Sequence, residues 1–274
     1  MDVYIHYLYL QQHLCLKINK IHPDNIKDLH IFRIMVLFWM IYEKCMNNVH
    51  LKIYNMKYPR TYHLPWSPGT TSDDKKLSGD WFSIYKGKEI VITEKCDGEN
   101  LAINRFDCFA RSHSSPTRTP WSRNIWDKDG ILWKVKNLIS ENETVYGENL
   151  YGEHSIHYDR LTSYWHIFAV NNGEVWYSWD DVVLTAEFLG QPTVPVLWRG
   201  IIESEEQLKE LIDGFMNEPS TYGKEKEGVV VRIADEFEID DFATHVCKWV
   251  RPNHVQTDEH WTRHWKKAEL ISIL

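Results

Sequence analysis

Four apolar stretches of this 274-residue chain each carry a charged side chain at or near an end. Lys95 stands in Glu94-Lys95-Cys96-Asp97-Gly98-Glu99-Asn100, directly after the β-branched run Glu89-Ile90-Val91-Ile92-Thr93. Glu148 follows Thr144-Val145-Tyr146-Gly147, Glu227 opens Gly228-Val229-Val230-Val231-Arg232-Ile233, and Lys248 lies within Thr244 to Val250. A lysine held at a strand end can be partly desolvated and set beside another cation; both lower its pKa and free the amine as a nucleophile. Gly98 would let the backbone turn tightly against a phosphate. By itself Lys-x-Asp-Gly reads equally well as a turn closing a hairpin. An acid flanked by glycine at a strand end, as at Glu148 and Glu227, is harder to explain by packing. Together with the aromatic strand Trp165 to Phe168, the set holds what nucleotidyl transfer needs: an amine nucleophile, acids for a ribose and a divalent metal, a second cation for the α-phosphate and an aromatic face for a base.

The elements that must position these residues follow from pattern. Residues 89–95 form a buried strand, and Leu101 to Phe109 alternates as the second strand of a hairpin with it, delivering Arg111. A polar loop over 114–130 precedes a helix at about 130 to 140. Strands follow at 144–153, 164–170 and 174–179, the last two joined through Asn171-Asn172-Gly173. Helical periodicity marks 180–189 and 203–217, with Ser204 ahead of two glutamates. Strands at 227–233 and 244–250 come next, and 258–274 reads as a terminal helix. Ahead of the nucleophile strand, residues 58–74 hold three prolines and a glycine and read as an ordered loop. That loop places Arg60, His63 and Ser67 where they touch a phosphate or simply pin the chain. His260 and His264 have the spacing of a helical metal site but lack the glutamate that a zinc protease sets beside the first histidine.

Composition bounds the rest. A net charge of -8 confines any nucleic-acid surface to a local basic patch. Five cysteines, odd in number and without Cys-x-x-Cys spacing, point to a reducing compartment and a cytoplasmic, intracellular protein. Residues 1–55 contain no Ala, Gly, Ser or Thr, four types that make up about a quarter of an average protein. The segment is expected to be a non-native or poorly packed extension ahead of a true start at Met56, leaving 56–274 as the domain. Its apolar run from Ile31 to Tyr42 falls short of the roughly twenty residues a membrane-spanning helix needs, so no membrane association is expected.

In order along the chain, EKCDGEN, FARSH, VYGENLYG, WHIFAV, EGVVVRI and HVCKWV resemble the motifs of the covalent nucleotidyltransferases, the polynucleotide ligases and mRNA capping enzymes, and most closely the RNA ligases. The resemblance covers roughly residues 57 to 252. It implies an α+β nucleotidyltransferase domain of the ATP-grasp-like ligase kind, with antiparallel sheets flanked by helices. It also implies ATP with Mg2+ or Mn2+, and RNA 5′-phosphate and 3′-hydroxyl ends as substrates, with no obligate protein partner evident. Carried over residue by residue, Lys95 would form the lysyl-AMP adduct, and Glu94 and Asn100 would border the nucleotide. Arg111 and Glu148 would bind its ribose hydroxyls, Phe168 would stack on adenine, Glu227 would engage the metal and Lys248 would bind the α-phosphate. Many members carry two alternating lysines in the last motif, whereas Val246 stands two positions before Lys248 here. Only 22 residues follow Pro252, too few for the oligonucleotide-binding (OB) barrel that DNA ligases and capping enzymes append there, so no such C-terminal domain is expected. The other readings are a DNA-nick ligase, a GTP-dependent guanylyltransferase and, from another class, a non-catalytic RNA-binding relative. A chain beginning at Met56 is expected to fold and to take label from ATP as well as the full chain; loss of either would show that residues 1–55 are a genuine part of the protein.

Overall fold

The computed structural model describes residues 57–111, 115–252 and 265–271. The N-terminal segment 1–55, its apolar run, and His260 and His264 lie outside the described residues.

Two mixed-order sheets carry the site. The first has the order β1 (Tyr62–His63), β11 (Val246–Val250), β9 (Gly228–Ile233), β2 (Glu89–Lys95), β8 (Val196–Ile201). The second runs β10 (Phe237–Glu238), β7 (Val175–Trp176), β6 (Trp165–Asn171), β5 (Thr144–Asn149), β3 (Glu99–Asn104), β4 (Cys108–Ala110). Among the described residues every ladder between these strands is antiparallel except β1 with β11. The expected antiparallel α+β architecture is therefore present. No helix among the described residues is long and apolar enough to cross a membrane.

The expected hairpin between 89–95 and 101–109 does not form. β2 pairs with β8 and β9, while β3 begins the other sheet and pairs with β4 and β5. Lys-x-Asp-Gly is thus a crossing between sheets. Cα spacing explains Gly98: a Cβ there would lie 2.6 Å from Asn149 O and 2.7 Å from Leu150 Cδ2. The glycine admits β5 to close range, and its φ is not among the positive ones.

Alternation along each strand divides its side chains between two layers. On β2, Ile90 and Ile92 join Val229, Val231 and Cys247 on the outer face of the first sheet, beneath Leu208 and Ile212 of α4 (Glu205–Met216). On the second sheet, Leu101, Ile103, Val145 and Ile167 pack with Leu132 and Val135 of α2 (Ile131–Leu138) and Val182 and Ala186 of α3 (Trp179–Leu189). Two single turns, α1 (Arg123–Trp126) and α5 (Phe242–His245), complete the helices. Ser178 and Ser204 cap α3 and α4 by accepting from Asp181 N and Gln207 N. Trp179, expected in a strand, is the first helical residue because that cap precedes it. Residues 265–271, within the stretch expected to be a terminal helix, make isolated bridges at Lys267 and Leu270 instead.

The remaining face of each sheet is left for the site. In the first sheet the ladder sets Lys95 beside Gly228 and Gly228 beside Val250. A Cβ on Gly228 would lie 2.0 Å from Trp249 O, a backbone atom held by the ladder. Gly228→Ala is expected to cost about 2 to 4 kcal/mol in urea unfolding; a loss below about 0.5 kcal/mol would show that the strands part without strain.

Candidate active site

Between the inner faces lies a cavity of about 770 Å³. Thr93 and Lys95 of β2, Val230 and Arg232 of β9, and Val246 and Lys248 of β11 line it from the first sheet. Asn100, Glu148 and Phe168 line it from the second, and Glu94 of β2 and Arg111 after β4 line it too. Seven of the eight residues singled out from sequence therefore share one cavity. The eighth, Glu227, touches Lys95: its Oε2 accepts from Lys95 Nζ at 2.5 Å. Its place just ahead of β9, whose Gly228 is Lys95's ladder partner, brings the two together.

The electrostatics of this pair reverse one expectation. Burial would lower the Lys95 pKa, but the Glu227 and Glu148 carboxylates and the hydrogen bond to Glu227 outweigh it and raise the amine above its usual value. No cation dominates its surroundings, so in this state Lys95 is an ammonium. Glu148 is pushed up to about 8, chiefly by burial and by Glu227 and Asp97, against the pull of Lys95 and the Gly98 N–H. That N–H donates to Glu148 Oε1 at 3.1 Å. Asp97 is anchored away from the cavity, accepting from Ser155 N, Ser155 Oγ and Ile156 N.

The other residues differ in how free they are. The Glu94 carboxylate is buried and committed to Ser220 Oγ and Thr221 N, so it fastens the loop before β9 and is not available to border a nucleotide through its side chain. Asn100 faces Glu148 across the β3–β5 ladder, and its buried Oδ1 has no hydrogen-bond partner. Arg111, at the end of β4, donates to Tyr58 O at 3.4 Å. Phe168 meets the Tyr58 ring edge-on at 4.9 Å. Lys248 lies 3.9 Å from Asp74, and burial and the Lys95 charge lower its pKa.

Sequence reasoning missed Tyr58 and Arg232. Tyr58 packs against Tyr146, Trp176 and Phe242 as well as Phe168, so a planar ligand approaching Phe168 meets it too. Arg232 is buried in the cavity wall between the Trp179 and Phe237 rings, donating to Tyr177 O. Burial pulls its pKa down to about 10. An arginine inside an apolar strand was the available signal for it. Arg60, from the proline-rich loop, donates to Asp73 O and pins the loop.

An amine between acids, a facing cation and an aromatic wall in a cavity of this volume suit a nucleotide polyphosphate. Metal ligation fits on the same terms. Among the described residues no three His, Cys, Asp or Glu side chains converge, but Mg2+ and Mn2+ sites on nucleotides draw most ligands from phosphates and water, with one or two carboxylates. Glu227, hydrogen-bonded to Lys95 at the edge of the cavity, is the carboxylate that would serve.

Residues 88–250, more than half of the chain, match the RNA ligase family, and the chain belongs to that family. No curated protein matches it. Similar solved structures include a Naegleria gruberi RNA ligase variant with ATP and Mn, at 13% identity and TM-score 0.44 over 71% of this chain and 60% of that one. An archaeal ATP-dependent RNA ligase follows at 12% identity and TM-score 0.43, over 71% and 48%. A putative ATP-dependent DNA ligase from Aquifex aeolicus matches at 17% identity and TM-score 0.44, over 71% and 50%. The chain thus spans between 48% and 60% of the length of these proteins.

The raised Glu148 pKa has a thermodynamic consequence. The folded state holds this proton more tightly than the unfolded chain, so the stabilisation is complete below the ordinary 4.5 and lost as pH rises through about 8. Urea midpoints of the wild type, relative to Glu148→Gln, are expected to fall between those two values; a pH-independent difference would show an unperturbed carboxyl.

Proposed function

We propose that the protein is an ATP-dependent RNA ligase that works through a lysyl-AMP intermediate, joining a 5′-phosphate RNA end to a 3′-hydroxyl in repair or processing of RNA. The observation that carries this reading is Lys95, paired with Glu227 on the floor of the cavity that gathers the other motif residues, in a chain of the RNA ligase family.

In the first step the Lys95 Nζ–phosphorus bond forms as the bond from the α-phosphorus to the pyrophosphate oxygen breaks. An attacking amine must be neutral, and Lys95 starts charged. Its proton has one short path, along the 2.5 Å contact to Glu227 Oε2. A divalent ion held by Glu227 would supply offsetting charge at the triphosphate and weaken the pull of that carboxylate on the ammonium. Lys248, from two strands away, meets the α-phosphate charge. Glu148 and Arg111 engage the ribose, Asn100 Oδ1 gains a donor, and Phe168 with Tyr58 holds the base. In the second step an oxygen of the RNA 5′-phosphate attacks the adenylyl phosphorus and Lys95 leaves as the amine. In the third the 3′-hydroxyl attacks the 5′-phosphorus and AMP departs. The free, buried thiols of Cys96, Cys108 and Cys247 support a reducing, cytoplasmic setting.

Lys95→Ala and Lys95→Arg are both expected to abolish the protein–AMP adduct from labelled ATP while retaining part of the sealing of a pre-adenylylated 5′ end. Arginine keeps the charge but stays protonated and cannot attack phosphorus. Label uptake by Lys95→Arg would place the nucleophile elsewhere.

A further inference from the structure

The stretch from Tyr58 to Leu77 carries none of the ligase-family motifs, yet it docks on β11 through specific contacts. β1 lies parallel to β11 with His63 in register with Lys248, and Leu64 N donates to Lys248 O at 2.8 Å. Gly69 N donates to Val250 O at 2.9 Å, and a Cβ on Gly69 would lie 2.2 Å from Arg251 O, so only glycine fits against the strand. Val250 N donates to Ser67 Oγ at 3.0 Å, and that hydroxyl is 2.9 Å from His63 Nδ1.

This docking delivers a carboxylate. Thr71 N and Thr71 Oγ1 both donate to Asp74 Oδ2 at 3.0 Å, which leaves Oδ1 facing His63 Nε2 at 3.5 Å and Lys248 Nζ at 3.9 Å. Among the described residues, Asp74 is the one carboxylate within 4 Å of Lys248 Nζ. Burial pushes His63 down to about 4, so at neutral pH the ring is uncharged and Lys248 is the charged partner of Asp74. At 3.9 Å the pair attracts without a hydrogen bond, and the ammonium keeps its three donors for an incoming ligand. Val246, two residues back on the same cavity face, is apolar, so the placement of Lys248 is the more consequential.

We propose that Asp74 is a positioning residue for nucleotide transfer, held by the 58–77 loop so that it aims the Lys248 ammonium into the cavity and releases it to the α-phosphate. The proposal rests on the reading of Lys248 given above. The test is single-turnover adduct formation by the full chain with labelled ATP and Mg2+, at a temperature where circular dichroism shows every variant folded. Asp74→Asn keeps an acceptor for Thr71 and is expected to slow the reaction about tenfold or more, with ATP half-saturation changed by less than about threefold. Asp74→Glu, which keeps the charge, should lose less. In a Lys248→Ala background, Asp74→Asn should slow the reaction by less than about a further twofold, because the group it positions is gone. Full multiplication of the two effects, equal losses for Asn and Glu, or a wild-type rate for Asp74→Asn would overturn the proposal. A wild-type rate for Lys248→Ala alone would instead remove the role given to Lys248.

Discussion

A lysine ammonium held 2.5 Å from a carboxylate sets the terms for this active site. The pair spans the ladder between β2 and the residue ahead of β9, with Glu227 buried and Lys95 largely enclosed. Burying two charges is costly unless they are paired at short range and further bonded. The ladder that sets Lys95 beside Gly228 provides that range, and the absent side chain at Gly228 lets β11 close in behind. Glu148 beside the pair holds a proton near neutrality: burial, helped by the Glu227 and Asp97 charges, outweighs the pull of the Lys95 ammonium.

Two lysines in one cavity are thereby placed in different states. Lys95 is bound tightly by Glu227, and its pKa is raised. Lys248 faces Asp74 at a distance that attracts without binding, and its pKa is lowered by burial and by Lys95. In the roles proposed for them, Lys95 would have to shed its proton on meeting the nucleotide and Lys248 to keep its own, the reverse of the way their surroundings shift them before a ligand arrives. The carboxylates that face them come from separate parts of the chain, one beside a core strand and one from a loop near the start of the described residues.

The aromatic end of the cavity is built by the second sheet and by Tyr58. Tyr146, Phe168, Trp176 and Phe242 form a cage around the tyrosine, and Arg232 stands beside it between two further rings. This packing makes the cavity wall part of the core, so the residues that would contact a base also hold the sheets together.

Strand-end lysines and glycine-flanked acids were legible in the sequence because they interrupt apolar runs, where the period of a strand leaves little freedom of placement. So were the two longer helices, from their periodicity and, at Ser204, from a serine followed by acids; the Ser178 cap was not. The Phe168 and Asn100 positions followed from motif resemblance, and the structure brings both to the cavity. What local pattern could not decide was pairing. Residues 89–95 and 101–109 look like a hairpin because each alternates and a glycine lies between, but hydrogen bonds to β8, β9 and β5, all distant in sequence, direct them to opposite sheets. The same long-range closure turned Glu94 inward to Ser220, set Glu227 on Lys95 and carried Asp74 to Lys248. Residue types along the strands determined which chemistry is possible; the protonation of Lys95 and Glu148 was decided only when tertiary structure brought their charges together in a space that excludes most water.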